Sequence, residues 1–180
     1  RNYTLRGDYT ESSKTSMIII DDFIKDNYIL DSFSDLELWN SLDDGTYKTW
    51  DGMGYTPHDA IADYIWHLKN KFWTDRTWDK FEYWVNITNE TQTLDWHVDK
   101  NEALAEGGDI VCPQVGAVWY GYPHKVMGGY LEIENDNYMH SGIERIQPVY
   151  NRVVVFDVTQ LHRVAPIVAG DRYGFQVNLW

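Results

Sequence analysis

From Phe81 to the C-terminus, apolar and polar residues alternate in short runs broken by turn-forming residues. The stretch before it instead repeats on the three-to-four-residue spacing of a helix. The final run is the clearest: Arg172, Gly174, Gln176 and Asn178 alternate with Tyr173, Phe175, Val177 and Leu179. Extended, it has one polar and one apolar face. Runs of this kind predict strands from Phe81 to Ile87, Thr93 to Val98, Val115 to Tyr120, Gly129 to Ile133, Glu144 to Pro148, Arg152 to Val158 and Arg172 to Trp180. Upstream, Met17 to Ile20 reads as a short strand after a polar lead-in at 1–16. Ser34-Asp35-Leu36-Glu37 has the form of a capping box, which predicts a short helix. Ile61, Ile65, Leu68 and Phe72 mark one face of a longer helix, with Thr56 as its cap and Pro57 in its first turn. His58 and His67 read as partly exposed residues of that helix.

The elements predict a mainly β protein with N-terminal helices (α+β), its strands forming a sandwich or barrel. The 180 residues fit one domain: a lead-in at 1–16, a strand and supporting helices at 17–80, and a β core at 81–180. Nine Trp and thirteen Tyr argue for well-filled walls and against disorder. A net charge of −13 argues against nucleic-acid partners, which need a basic footprint. The single cysteine, Cys112, supplies neither a disulfide nor a thiolate cluster and reads as a small, partly buried residue. Without an apolar run of membrane-spanning length or a signal-peptide pattern, the expectation is a soluble, cytoplasmic chain. Asn86-Ile87-Thr88 matches a glycan acceptor, read here as chance. Nothing in the sequence predicts an oligomeric state.

Candidate chemistry sits on the strands. If Leu94 to Asp99 is extended, Asp95, His97 and Asp99 point to one side while Leu94, Trp96 and Val98 pack on the other. Two His and one carboxylate can occupy one face of an octahedral metal ion and leave the opposite positions open. His162, from another strand, is the best second histidine. The run from His162 to Arg172 reads as a strand, a Pro- and Gly-punctuated turn and a returning strand; a hairpin centred on Ile167 would set Arg172 opposite His162. Arginine there suits a carboxylate, because its planar fork meets two oxygens at once.

These residues resemble the Fe(II)- and 2-oxoglutarate-dependent dioxygenases, in particular their prolyl-4-hydroxylase-like branch. The resemblance rests on His97-Val98-Asp99, Gly128-Gly129-Tyr130-Leu131-Glu132-Ile133, Val153 to Phe156 leading into His162, and Gly170-Asp171-Arg172. Met17 to Phe23 matches that branch's opening strand. The resemblance implies a double-stranded β-helix (jelly roll, cupin-like), with helices packed on the outer face of one sheet. It implies Fe(II) held by His97, Asp99 and His162, and 2-oxoglutarate and O2 as cosubstrates. Arg172 would take the far carboxylate of 2-oxoglutarate. An unactivated C–H bond of a peptide side chain or a small molecule would be hydroxylated, with succinate and CO2 released. Asp99 in the ligand position implies hydroxylation rather than halogenation. Relatives carry a Tyr beside the cosubstrate carboxylate; Val118 to Tyr122 departs from their pattern, and Tyr120 is the first choice here with Tyr83 the second. His124 and His140 read as exposed loop residues, and Lys100 to Pro113 as a connection covering the site. The competing expectation is a non-catalytic cupin-like metal- or ligand-binding module, which would have no need of Arg172.

Overall fold

The structure, a computed structural model, describes residues 17–53, 59–135 and 142–180. The lead-in, Thr56, Pro57, His58 and His140 lie outside them. In chain order the elements are β1 (Ile18–Ile20), α1 (Asn27–Phe33), α2 (Leu36–Leu42), β2 (Lys48–Trp50), α3 (Asp59–Phe72), β3 (Phe81–Thr88), β4 (Leu94–His97) and α4 (Glu102–Glu106). There follow β5 (Val115–Trp119), β6 (Val126–Gly128), β7 (Leu131–Asn135), β8 (Gly142–Ile146), β9 (Val153–Phe156), β10 (His162–Val164), β11 (Ile167–Gly170) and β12 (Arg172–Leu179).

Antiparallel pairing builds a six-stranded sheet in the order β1-β9-β5-β12-β3-β2 and a four-stranded sheet in the order β4-β10-β7-β8. A two-stranded ribbon, β11-β6, completes them. Two cores follow from the period-two alternation of the larger sheet. On one face, Phe81, Tyr83, Ala117, Trp119, Val155, Phe175 and Val177 pack against the helices. On the other, Val118, Val154 and Phe156 meet Leu131, Ile133 and Ile146 of the smaller sheet. This is the expected double-stranded β-helix with its helices on the outer face of one sheet.

Aromatic contacts join the helical layer to the sheet. Phe33 is fully buried, with ring centroids 4.9 Å from Trp119 and 5.1 Å from Phe175. Tyr64 of α3 stacks on Trp119 at 4.6 Å. Such pairs add roughly 0.5–1.5 kcal/mol beyond the area they bury. Asn151 ties the N-terminal segment down: its Oδ1 accepts from Ile24 N and Trp119 Nε1, and its Nδ2 donates to Ile24 O. The residue adopts φ 59°, a left-handed conformation that Asn tolerates better than most residues.

Three local expectations change. Ser34 is not the cap of α2; it ends α1, donating its hydroxyl to Leu30 O, while Asp35 caps α2 by accepting from Glu37 N at 2.9 Å. Helix α1 itself carries no regular apolar repeat beyond Ile29 and Phe33. Gly129 does not belong to a strand: Gly128 and Gly129, at φ 80° and 64°, turn the chain between β6 and β7. The hairpin between His162 and Arg172 does not form. Strand β10 pairs with β4 and β7, β11 pairs with β6, and Arg172 lies in the other sheet. The chain leaves the smaller sheet at Pro166, which has no N–H to continue a ladder; its carbonyl accepts from Gly129 N.

His124 is half-buried rather than an exposed loop residue. Its Nδ1 accepts the Tyr173 N–H at 3.0 Å, and its Nε2 lies 3.2 Å from Pro148 O. A backbone N–H can only donate and a carbonyl can only accept, so the bonded form is the neutral Nε2–H tautomer. Burial holds the His124 pKa below its ordinary value, and the charge of Arg172 adds to this. A histidine with a depressed folded pKa contributes stability above its unfolded pKa of about 6.5 and loses it as pH falls through the folded value. The melting temperature of the protein should therefore drop between pH 7.5 and 5.5 more steeply than that of His124→Gln; parallel pH profiles would show that His124 stays neutral for no structural gain.

Candidate metal centre and anion chamber

Two histidines meet because their strands pair directly. His97, the last residue of β4, is the antiparallel partner of His162, the first of β10, and the ring centroids are 4.3 Å apart. Asp99 follows just beyond the end of β4, where its N–H donates to Val158 O. Its Oδ1 lies 3.6 Å from His97 Nε2 and 3.5 Å from His162 Nε2. One ligand atom from each of the three residues falls within 4.8 Å of the others. Asp95, which the alternation also placed on this face, is exposed.

Each ring is oriented from behind. His97 Nδ1 lies 2.7 Å from Asp95 O and His162 Nδ1 lies 2.8 Å from Gln160 O. Carbonyls accept only, so the proton sits on Nδ1 and the Nε2 lone pair of each neutral ring faces Asp99. Burial, reinforced by the neighbouring His162, keeps the His97 pKa below its ordinary value and so favours the neutral, ligating form.

Asp99 is held by β12. Its Oδ2 accepts from Asn178 Nδ2 at 2.8 Å, and Asn178 Oδ1 accepts from Gln176 Nε2 at 2.9 Å. This leaves Oδ1 toward the histidines. The relay requires Gly116: a Cβ there would lie 2.3 Å from Asn178 Oδ1 and 2.9 Å from Gln176 Nε2. The alternation placed Gln176 and Asn178 on the polar face but did not reveal this function, because one strand does not show which carboxylate its neighbour delivers.

Arg172 and His162 face one inner chamber, lined also by Trp84, Asn86, Leu94 and Gln176, with Val118, Leu131, Phe156 and Val164 as its dry walls. Arg172 is 2% exposed. Its Nε donates to Gly129 O at 3.0 Å and its Nη2 to Tyr120 OH at 3.1 Å. Gly129 permits this approach, since a Cβ would come 3.2 Å from Arg172 Cδ. Among the described residues no carboxylate pairs with this buried guanidinium, and both partners are neutral. A buried cation left so is costly, and an incoming anion would compensate it.

Tyr120 is placed behind Arg172, while Tyr83 lies on the opposite face of the sheet, 6.1 Å from Phe175, and does not reach the chamber. Trp84 and Asn86 are additional lining residues. They were legible in principle, since Glu82, Trp84 and Asn86 alternate with Phe81, Tyr83 and Val85 as the polar row of β12 does. The donor set is two neutral imidazoles and one carboxylate on one side of a cleft, the set suited to non-haem Fe(II). The residues present fit that ion.

The family model for the 2OG-Fe(II) oxygenase superfamily matches residues 83–180, more than half of the chain. A search of the curated proteins finds no match. Among solved structures, a prolyl-4-hydroxylase from Pseudomonas putida superposes with TM-score 0.62 at 14% identity, covering 91% of both chains. A prolyl hydroxylase from Trichoplax adhaerens, solved with a hypoxia inducible factor peptide, has TM-score 0.57 at 17% identity over 91% of this chain and 83% of that one. HygX from Streptomyces hygroscopicus, solved with nickel and 2-oxoglutarate, has TM-score 0.58 at 11% identity, covering 92% and 82%. At these identities the structural likeness speaks to fold: a prolyl-4-hydroxylase-type double-stranded β-helix. The family match speaks to chemistry, and the chain belongs to the 2OG-Fe(II) oxygenase superfamily, whose dioxygenases use Fe(II), 2-oxoglutarate and O2.

Proposed function

We propose that His97, Asp99 and His162 hold Fe(II), that Arg172 binds the far carboxylate of 2-oxoglutarate, and that the enzyme hydroxylates an unactivated C–H bond of a peptide side chain or small molecule. The observation that carries this reading is the convergence of three ligand atoms within 4.8 Å beside a chamber that also receives the buried Arg172. Bound there, the metal with 2-oxoglutarate and O2 supplies oxidation of C–H to C–OH, coupled to release of succinate and CO2.

The protein's part is position, charge and dryness. His97 and His162 present fixed Nε2 lone pairs because their Nδ1 protons are committed to Asp95 O and Gln160 O. Asn178 occupies Asp99 Oδ2, so Oδ1 is the carboxylate oxygen that would hold the metal. Tyr120, whose hydroxyl accepts from Arg172 Nη2, positions the guanidinium beside the cosubstrate carboxylate. Apolar walls at Val118, Leu131 and Phe156 exclude water around the reacting groups. Among the described residues no helix is long and apolar enough to cross a membrane.

Asp99→Ala should lower 2-oxoglutarate-dependent succinate formation by roughly 100-fold or more while leaving the circular dichroism spectrum unchanged; succinate release at the wild-type rate would show that Asp99 is no ligand. Arg172→Lys should raise the Kd for 2-oxoglutarate about tenfold and leave Fe(II) affinity unchanged, because a point charge replaces a two-pronged donor. Undiminished 2-oxoglutarate affinity would move the anion anchor elsewhere.

A further inference from the structure

Outward from the metal centre the cleft opens into a second cavity of about 640 Å³, which shares Trp84, Asn86, Leu94, His97 and Asp99 with the inner chamber. That volume is within the range of small-ligand sites, and the shared walls place any occupant against the reacting groups. Its chemistry is uneven. Asp43, Glu82 and Glu102 line it, and Lys100 is the one lysine or arginine among its lining. Lys100 lies 3.9 Å from Glu102 and Lys80, outside the lining, offsets part of the Glu82 charge, yet the balance of the lining stays negative. Tyr47 and Trp84 form an edge-to-face pair in the same wall, with centroids 4.9 Å apart.

Glu82 is the most confined of these acids. It is half-buried on β3, next to Asn178 across the strand pair. Its Oε2 accepts from Trp180 Nε1 at 3.1 Å, and no hydrogen bond reaches Oε1 among the described residues. Burial raises its pKa against the opposing pull of the Trp180 hydrogen bond and the Lys80 charge. The Tyr47 hydroxyl is likewise pushed up, by burial first and then by the charges of Asp99, Glu102 and Glu82. A negative cavity walled by the half-buried Glu82 and Trp84, with the exposed Tyr47 at its rim, favours a cation: the carboxylate gains a partner and a ring face attracts the charge. An anion would be repelled, and a neutral apolar group would desolvate Glu82 further without giving its Oε1 a partner.

We propose that the substrate carries a protonated amine or guanidinium, held in this outer cavity by Glu82 and the Trp84–Tyr47 pair, while its target carbon reaches inward to the metal centre. The proposal rests on the oxygenase reading and deepens it to a substrate class. The cation has two available sources, a free polyamine-like metabolite or a lysyl or arginyl side chain in a peptide.

The test is calorimetric titration of anaerobic protein loaded with Fe(II) and 2-oxoglutarate. The probes are spermidine, acetyl-lysine methylamide and acetyl-arginine methylamide, with the norleucine and glutamate analogues as neutral and anionic controls. At least one cationic probe should bind about tenfold or more tightly than the norleucine analogue, and its affinity should fall as NaCl is raised. Tighter spermidine binding would indicate a free amine and tighter lysyl or arginyl binding a peptide, either one supporting the class. Glu82→Gln, which keeps an acceptor for Trp180, should weaken the cation about tenfold. Norleucine or glutamate analogues binding as tightly as every cation, salt-independent affinity, or unchanged cation binding by Glu82→Gln would overturn the proposal. Succinate formation from 2-oxoglutarate without any probe, measured on the unaltered protein, scores the oxygenase separately: its presence beside failed cation binding condemns the substrate class alone.

Discussion

Strand β12 has to satisfy two environments that cannot mix. It lies between β5 and β3 in the larger sheet, so both of its edges are paired, and residues on both of its faces are buried. Toward the helices it presents Phe175, Val177 and Leu179, each fully buried. Toward the cleft it presents Arg172, Gln176 and Asn178, also buried but all polar. A slip of one residue would drive a guanidinium and two amides into the aromatic layer and empty the site at once. The cost of that exchange fixes the register, and the register sets both ends of the site. Asn178 reaches Asp99 at one end, and Arg172 meets Tyr120 and Gly129 at the other.

The smaller sheet supplies what β12 cannot. Pairing of β4 with β10 places two imidazoles side by side, and the backbone carbonyls of Asp95 and Gln160 fix their tautomers. On the sheet's other surface the buried Glu132 binds Arg163 at 2.7 Å and Arg145 at 2.8 Å, while those guanidiniums lie over Trp96 and Tyr130. A buried carboxylate with two cationic partners is compensated; a buried guanidinium with two neutral ones is not. That contrast separates the Glu132 ion cluster from Arg172, a buried cation whose hydrogen-bond partners are neutral.

How much of this was legible depended on whether the signal was local. The two faces of β12 are a period-two pattern, and the ligand residues carry a chemistry few other arrangements need; both are visible in single segments. The topology around Pro166 is not, because a strand pair can be read from spacing only when its partners are neighbours in sequence. His162 and Arg172 share a chamber by facing each other from two sheets rather than across a hairpin. Ser34 and Asp35 both satisfy the composition of a cap, and only the backbone angle at Asp35, φ −83° and ψ 115°, decides between them. The relay from Gln176 through Asn178 to Asp99 joins side chains 79 positions apart, and no single-segment pattern reports such a contact.

In the proposed function, three protein ligands and a chelating 2-oxo acid share one metal. Anaerobic addition of Fe(II) to the protein in the presence of 2-oxoglutarate, followed by visible absorption, tests this most directly. A metal-to-ligand charge-transfer band should grow to one equivalent of iron in the unaltered protein and should not form in folded His162→Ala. A folded, iron-loaded protein without the band, or a band of equal intensity in His162→Ala, would contradict the account.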